Sequence, residues 1–225
     1  MKSLYIRLFL VLPLLILVNI THAQDLSLYG SFGYNLGFSN ANLDYAGSDL
    51  KYGYGNGLSL NAGLQYDTPI PVFLYAEAAV NFAFSLQYES FNGVSNKTSF
   101  GFNYKSLSLG LGHLFEIPSV DVINGIIVKG GLDYNIPGDA KVTENNSDYG
   151  RIAYGTSIGY QAAVKLSLQF SEQLLFDFGL TYRKAYFDYT DYNWNNGTPT
   201  NFQLYPTADH IMIGGTLRKV FGAEE

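Results

Sequence analysis

Residues 25–38 read DLSLYGSFGYNLGF. From Leu26 onward every second residue is large and apolar: Leu26, Leu28, Phe32, Tyr34, Leu36 and Phe38, with Gly30 the one gap. Between them stand Ser27, Tyr29, Ser31, Gly33, Asn35 and Gly37. A period of two puts these two sets on opposite faces of a strand. The fold depends on which face meets a hydrophobic phase, and on whether that phase is a protein interior or lipid.

The same alternation returns at 58–66, 74–86, 106–112, 126–136, 158–170, 174–183 and 211–221. With the opening stretch this predicts eight strands. One place breaks step: Phe100, Phe102 and Tyr104 are even-numbered, whereas the apolar set from Leu107 onward is odd-numbered. A β-bulge near Lys105–Ser106 would absorb the slip. Alternatively, 99–104 extends the strand above a membrane with no bulge. The connections DTPIP and SEQ are short and EIPSVDVIN is compact, while those over 39–57, 87–99, 137–155 and 188–208 are long and rich in Asn, Asp, Gly, Ser and Tyr. Short turns at one end and long loops at the other are the pattern of a transmembrane barrel. Protease added to intact cells is then expected to cut in 137–155 or 188–208.

The minor face decides between lipid and protein. It carries Glu77, Lys129, Asp133, Lys165, Asp177, Arg183 and Arg218, with Gln, Asn, Ser and Gly between them. The apolar face is almost free of charge at the strand centres. A soluble barrel would expose its polar face and load it with Lys and Glu. Here that face is mostly small residues, which suits a narrow interior. Tyr34, Phe38, Tyr66, Tyr134, Phe170, Tyr182 and Phe221 stand near strand ends on the apolar face, where aromatic girdles meet the membrane interfaces. In lipid every backbone polar group needs an internal partner, so the strands must close. The fold expected is all-β: an eight-stranded, antiparallel, up-and-down transmembrane barrel spanning 24–225.

Composition agrees. The chain holds 19 Tyr, 16 Phe and 24 Gly, only 14% charged residues and no Cys. Residues 1–23 have the layout of a cleaved signal peptide: Lys2 and Arg7, an apolar run from Leu8 to Ile20, then Thr21 and Ala23 before the cut. The formal charge of −6 becomes −8 when Lys2 and Arg7 leave. An acidic chain without a basic run argues against nucleic acid as a partner. Without cysteine there are no disulfides, and packing and hydrogen bonds must hold the exported chain.

The leader, the eight strands and the terminal HIMIGGTLRKVF resemble the small outer-membrane β-barrel proteins of Gram-negative bacteria, of the outer-membrane protein A/X type. The abundance of Tyr, Asn and Gly is most similar to versions from Bacteroidota. The resemblance implies a place in the outer membrane, with outer-membrane lipids, lipopolysaccharide and the barrel-insertion machinery as partners. It gives Phe221 the role of the terminal insertion signal, although Lys219 stands where another apolar residue is common and GAEE follows. The peptidoglycan-binding domain of the outer-membrane protein A family is expected to be absent, because the sequence stops four residues after Phe221.

Some barrels of this size are lipid A-modifying enzymes, which join a His, an acid and a Ser. The histidines after the leader are His113, beside a turn, and His210, next to Asp209 and near Thr207. A His–Asp neighbour pair with no placed nucleophile makes no active site. Asp139, Glu144 and Asp148 fit no calcium-loop spacing. No catalytic residue, cofactor or metal site is therefore assigned. Tyr189, Tyr192, Trp194, Phe202 and Tyr205 make the last long loop aromatic, which fits either a contact surface for an extracellular ligand or a loop that packs on itself at the headgroup level. The function expected is non-enzymatic: a structural, adhesion or surface-recognition role through the long loops. The alternatives are a lipid A-modifying enzyme and a narrow channel for ions or small solutes. The seven charged residues of the minor face are expected to form one connected salt-bridge network that closes the bore. Replacing Glu77 and Asp177 together by Ala would then raise conductance.

Overall fold

The computed structural model describes residues 26–38, 40–45, 48–91, 94–118, 122–145, 147–194 and 207–221. The leader, Phe202, Tyr205 and the terminal GAEE lie outside the described residues. The strands are β1 (Leu26–Gly37), β2 (Asn40–Tyr45), β3 (Ser48–Gly53), β4 (Gly57–Asp67), β5 (Phe73–Phe91), β6 (Val94–Glu116), β7 (Ile123–Pro137), β8 (Ala140–Glu144), β9 (Ser147–Tyr154), β10 (Ser157–Ser171), β11 (Leu174–Tyr186), β12 (Tyr189–Trp194) and β13 (Thr207–Phe221). Eight of them pair in the cyclic order β1-β4-β5-β6-β7-β10-β11-β13. The first and last close the ring, with Leu26 opposite Phe221 and Gly37 opposite His210. Closure removes the open edges that neither lipid nor solvent tolerates well.

The alternation read in 25–38 sorts the two faces of β1. Phe32 is 66% exposed and its neighbour Ser31 is 6% exposed. Leu60, Leu132, Ile158 and Phe170 share the outer surface, while Asn61, Asp133 and Gln161 are buried. An exterior this apolar around a polar bore inverts the soluble pattern, so the surface faces lipid. Among the described residues no helix is long and apolar enough to cross a membrane, so the strands do the crossing.

No bulge interrupts β6. Lys105 stands opposite Val80 and Ser106 opposite Ala79 in unbroken register. Even-numbered residues face inward along this strand, with Phe100, Phe102, Tyr104, Ser106 and Ser108 all buried. The surroundings change, not the register. Below Ser106 lipid lies outside, so the apolar residues are the outward ones, Leu107 and Leu111. Above it water lies outside, so Asn103 and Lys105 are exposed and the rings turn inward. The apparent slip therefore marks the membrane boundary.

The long connections are also more regular than their composition suggests. β5 and β6 remain paired up to Phe91 and Val94, and β2 and β3 form a hairpin of their own. β7 stops at Pro137, opposite Tyr104, because proline has no N–H to continue the ladder. The edge of β6 above that point is taken by β8, from Gly101–Lys141 to Thr98–Glu144. β9 then adds to β8, and β12 adds to β9. In this extension Ala140, Val142, Ile152 and Tyr154 are buried, and Lys141 and Arg151 are exposed. That is the pattern of a soluble sheet.

Ladder bonds on both sides narrow the proteolysis expected from sequence. Protease on intact cells should spare Ala140–Tyr154 while it cuts elsewhere on the outer side. Rapid cleavage within that hairpin would show that it is not docked on β6.

Candidate functional site

The bore is filled from three kinds of inward position. At the turn end, Tyr29 and Tyr75 lie over glycines. A Cβ at Gly63 would come 2.5 Å from Tyr29 Cζ, and one at Gly131 would come 2.5 Å from Tyr75 Oη. Eight strands leave little width, so a large ring needs a glycine facing it. These two tyrosines were not singled out by the charge pattern. Their signal is inward parity opposite an inward glycine, which becomes visible only once the register is known.

Between the rings lies Glu77. Its carboxylate accepts a hydrogen bond from Tyr29 Oη at 3.1 Å and one from Lys129 Nζ at 3.1 Å. The Arg183 guanidinium also pairs with it, and Arg183 Nη1 donates to Ser106 Oγ at 2.8 Å. Lys129 Nζ stands 4.3 Å from the ring centre of Tyr75 and 5.1 Å from that of Tyr29, both within cation–π range. One carboxylate thus gathers two cations from opposed walls.

A second cluster lies on neighbouring strands. Arg218 donates through Nε to Asp177 Oδ2 and through Nη2 to Asp177 Oδ1, each at 3.3 Å. It also reaches Ser167 Oγ at 3.3 Å. Lys165 Nζ donates to Thr216 Oγ1 at 2.7 Å.

All seven charged residues of the minor face are buried, but they do not form one connected salt-bridge network. There are two separate clusters. Among the described residues, Lys165 and Asp133 take part in no ion pair. The reason is position. Glu77, Lys129 and Arg183 meet across the bore from β5, β7 and β11, whereas Asp177 and Arg218 sit side by side on β11 and β13. Higher in the bore, Asn135 Nδ2, Thr181 Oγ1, Arg183 Nε and His210 Nε2 are buried without a protein partner among the described residues. Buried groups of this kind are satisfied by ordered water.

Above the polar layer the bore is roofed by rings. Tyr54, Phe100, Phe102, Tyr104, Tyr154 and Phe187 cluster with Val142 and Ile152. Tyr54 packs edge-on against Phe100 at 4.9 Å and Phe102 at 5.2 Å. Phe187 packs edge-on against Phe102 at 5.1 Å. The hydroxyls of Tyr54 and Tyr154 are 2.7 Å apart. Burial pushes the Tyr154 hydroxyl up to about 12, against the pull of that bond. The roof joins residues from four separate parts of the chain, so no local motif announces it.

Among the described residues, His113 and His210 form no ion pair with an acid. His210 is fully buried, its Nδ1 3.2 Å from the Ala208 carbonyl. Strand alternation turns the adjacent Asp209 the other way, where it pairs with Lys184 at 3.1 Å. The ionic residue opposite His210 on β11 is the cation Arg183. His113 lies by the turn end, with Nδ1 on the Pro71 carbonyl and its ring 4.2 Å from Phe115. Among the loop acids, Asp148 is bonded to Arg151 at 3.2 Å. Among the described residues no three His, Asp or Glu converge as metal ligands. Tyr189, Tyr192 and Trp194 fall on β12. Phe221 pairs with Leu26 at the turn end, with Lys219 Nζ 5.3 Å from its ring centre.

No protein-family model matches the chain, and no curated protein matches it either. Solved structures similar in fold include Neisserial surface protein A, with 14% identity over 87% of this chain and 97% of that one, at a TM-score of 0.47. Another is Ail, the attachment invasion locus protein of Yersinia pestis, solved with the heparin analogue sucrose octasulfate. Its identity is 13% over 86% and 99% of the two chains, with a TM-score of 0.40. A third is the outer membrane protein OprG of Pseudomonas aeruginosa, with 13% identity over 88% and 96% and a TM-score of 0.44. The strands themselves carry the assignment: a closed ring of eight, apolar outside and polar within, is a small outer-membrane β-barrel.

Proposed function

We propose that this barrel is non-enzymatic and works outside the cell, in adhesion or surface recognition, with the bore serving as a sealed anchor. One observation carries this. The bore is filled twice over, by ion clusters and by rings, while its strands run on past the lipid into a sheet whose apolar residues belong to that same ring cluster. Filling the bore holds the ring rigid, and the investment in ordered structure lies above the membrane. The aromatic stretch Tyr189–Trp194 forms the last strand of that sheet, which supports a contact role. Abundant Tyr, Asn and Gly support a Bacteroidota-type origin. Lipopolysaccharide and the insertion machinery follow as partners from the location, with Phe221 as the insertion signal.

The test replaces β8 and β9 by a short turn joining β7 to β10. Heat-modifiable gel migration should show that the barrel still folds and inserts. Cells carrying the shortened protein should then lose most of their sedimentation by self-association and their retention on matrix-protein or glycan surfaces. Retention equal to that of cells with the unmodified protein, with both barrels inserted, would remove the adhesive role.

A further inference from the structure

Near the turn end a cavity of about 20 Å³ opens between Tyr29, Lys129, Lys165, Asp177, Thr216 and Arg218. Three of these are cations and one is an anion, and all four charged groups are at least nine-tenths buried. The anion is already taken, because Arg218 holds both oxygens of Asp177. Lys129 has Glu77. Lys165 donates to the Thr216 hydroxyl, which neutralises nothing, and it meets no carboxylate at ion-pair distance among the described residues. An ammonium group has three donors, so the Thr216 bond leaves two. Among the described residues the bore carries four bases and three acids, so these carboxylates cannot balance it. A buried cation without a counter-charge is costly. The cavity beside it has room for about one water-sized body.

We propose that this cavity binds one small inorganic anion of halide size, chloride in the cell, held by Lys165 with Lys129 and Arg218 around it. The anion completes the charge balance of the bore and enters from the turn end. Larger organic anions do not fit. This site is independent of what the outer sheet binds.

Two measurements on the refolded barrel in detergent decide it. Crystals grown in sodium bromide should show anomalous density within hydrogen-bonding reach of Lys165 Nζ. Urea unfolding at constant ionic strength should shift upward as sodium gluconate is replaced by sodium bromide. Above the dissociation constant, each tenfold rise in bromide should multiply the folded-to-unfolded ratio about tenfold. Lys165→Met should lose that dependence. If the variant does not fold, the two readouts on the unmodified protein still decide. An empty cavity in bromide crystals, equal stability in the two salts, or bromide density without any stability dependence would overturn the proposal. So would a folded Lys165→Met barrel that keeps the full halide dependence.

Discussion

Glu77→Ala should destabilise the barrel by about 3–5 kcal/mol, the range for removing one partner of a buried ion pair. The upper end is expected, because this carboxylate serves Lys129, Arg183 and the Tyr29 hydroxyl together. Its loss leaves Lys129 with aromatic faces and Arg183 with Ser106. Both cations stay buried with no carboxylate in contact. Asp177→Ala should cost somewhat less, since only Arg218 loses its partner and keeps Ser167. Adding Lys129→Met to Glu77→Ala should recover part of the loss, because one of the two stranded cations goes with it. Urea unfolding followed by heat-modifiable migration measures all three variants. A loss below about 1 kcal/mol for Glu77→Ala would mean that water fills the bore and screens these groups, as it does at a protein surface.

The barrel was legible in the sequence because a period of two needs no knowledge of partners. Leu28 and Phe32 declare an outer face, and Ser27 and Ser31 declare an inner one, from the strand alone. The same logic placed Glu77, Lys129 and Arg183 inside. It did not say which of them touch, because contact across a bore depends on the stagger between strands, and stagger is fixed by pairing rather than by any one strand's pattern. Hence Asp133 and Lys165 have the right parity and no ion pair among the described residues. Phe100, Phe102 and Tyr104 show a different limit. Their parity alone left two readings open, a bulge or an extension above the membrane, and the unbroken pairing of β6 shows the extension. Lipid gives way to water partway along β6, and the apolar side changes with it. Tyr54 and Phe187 lay beyond reach. Each sits in a connection between strands, and what makes them a roof is the extension of β6 by β8 and β9 above Pro137.

That roof changes what conductance measurements should show. Charge pattern alone predicts that replacing Glu77 and Asp177 by Ala opens the bore. The structure places a second obstruction in series, built from Tyr54, Phe102, Phe187 and their neighbours. Two constrictions in series pass no more current than the tighter one allows, so removing either alone should leave the baseline nearly unchanged. The unmodified barrel should be silent in a planar bilayer, as should Glu77→Ala with Asp177→Ala. Phe102→Ala with Phe187→Ala should be silent as well, because the ion clusters below remain. Only the fourfold variant should show frequent, long-lived openings, with gel migration confirming in each case that a folded barrel was inserted. Openings should be larger at higher salt, as for a path wide enough to stay hydrated. A steady open current through the unmodified barrel, unaltered by any of these substitutions, would make the bore a working channel and would remove the sealed anchor on which the adhesive role depends.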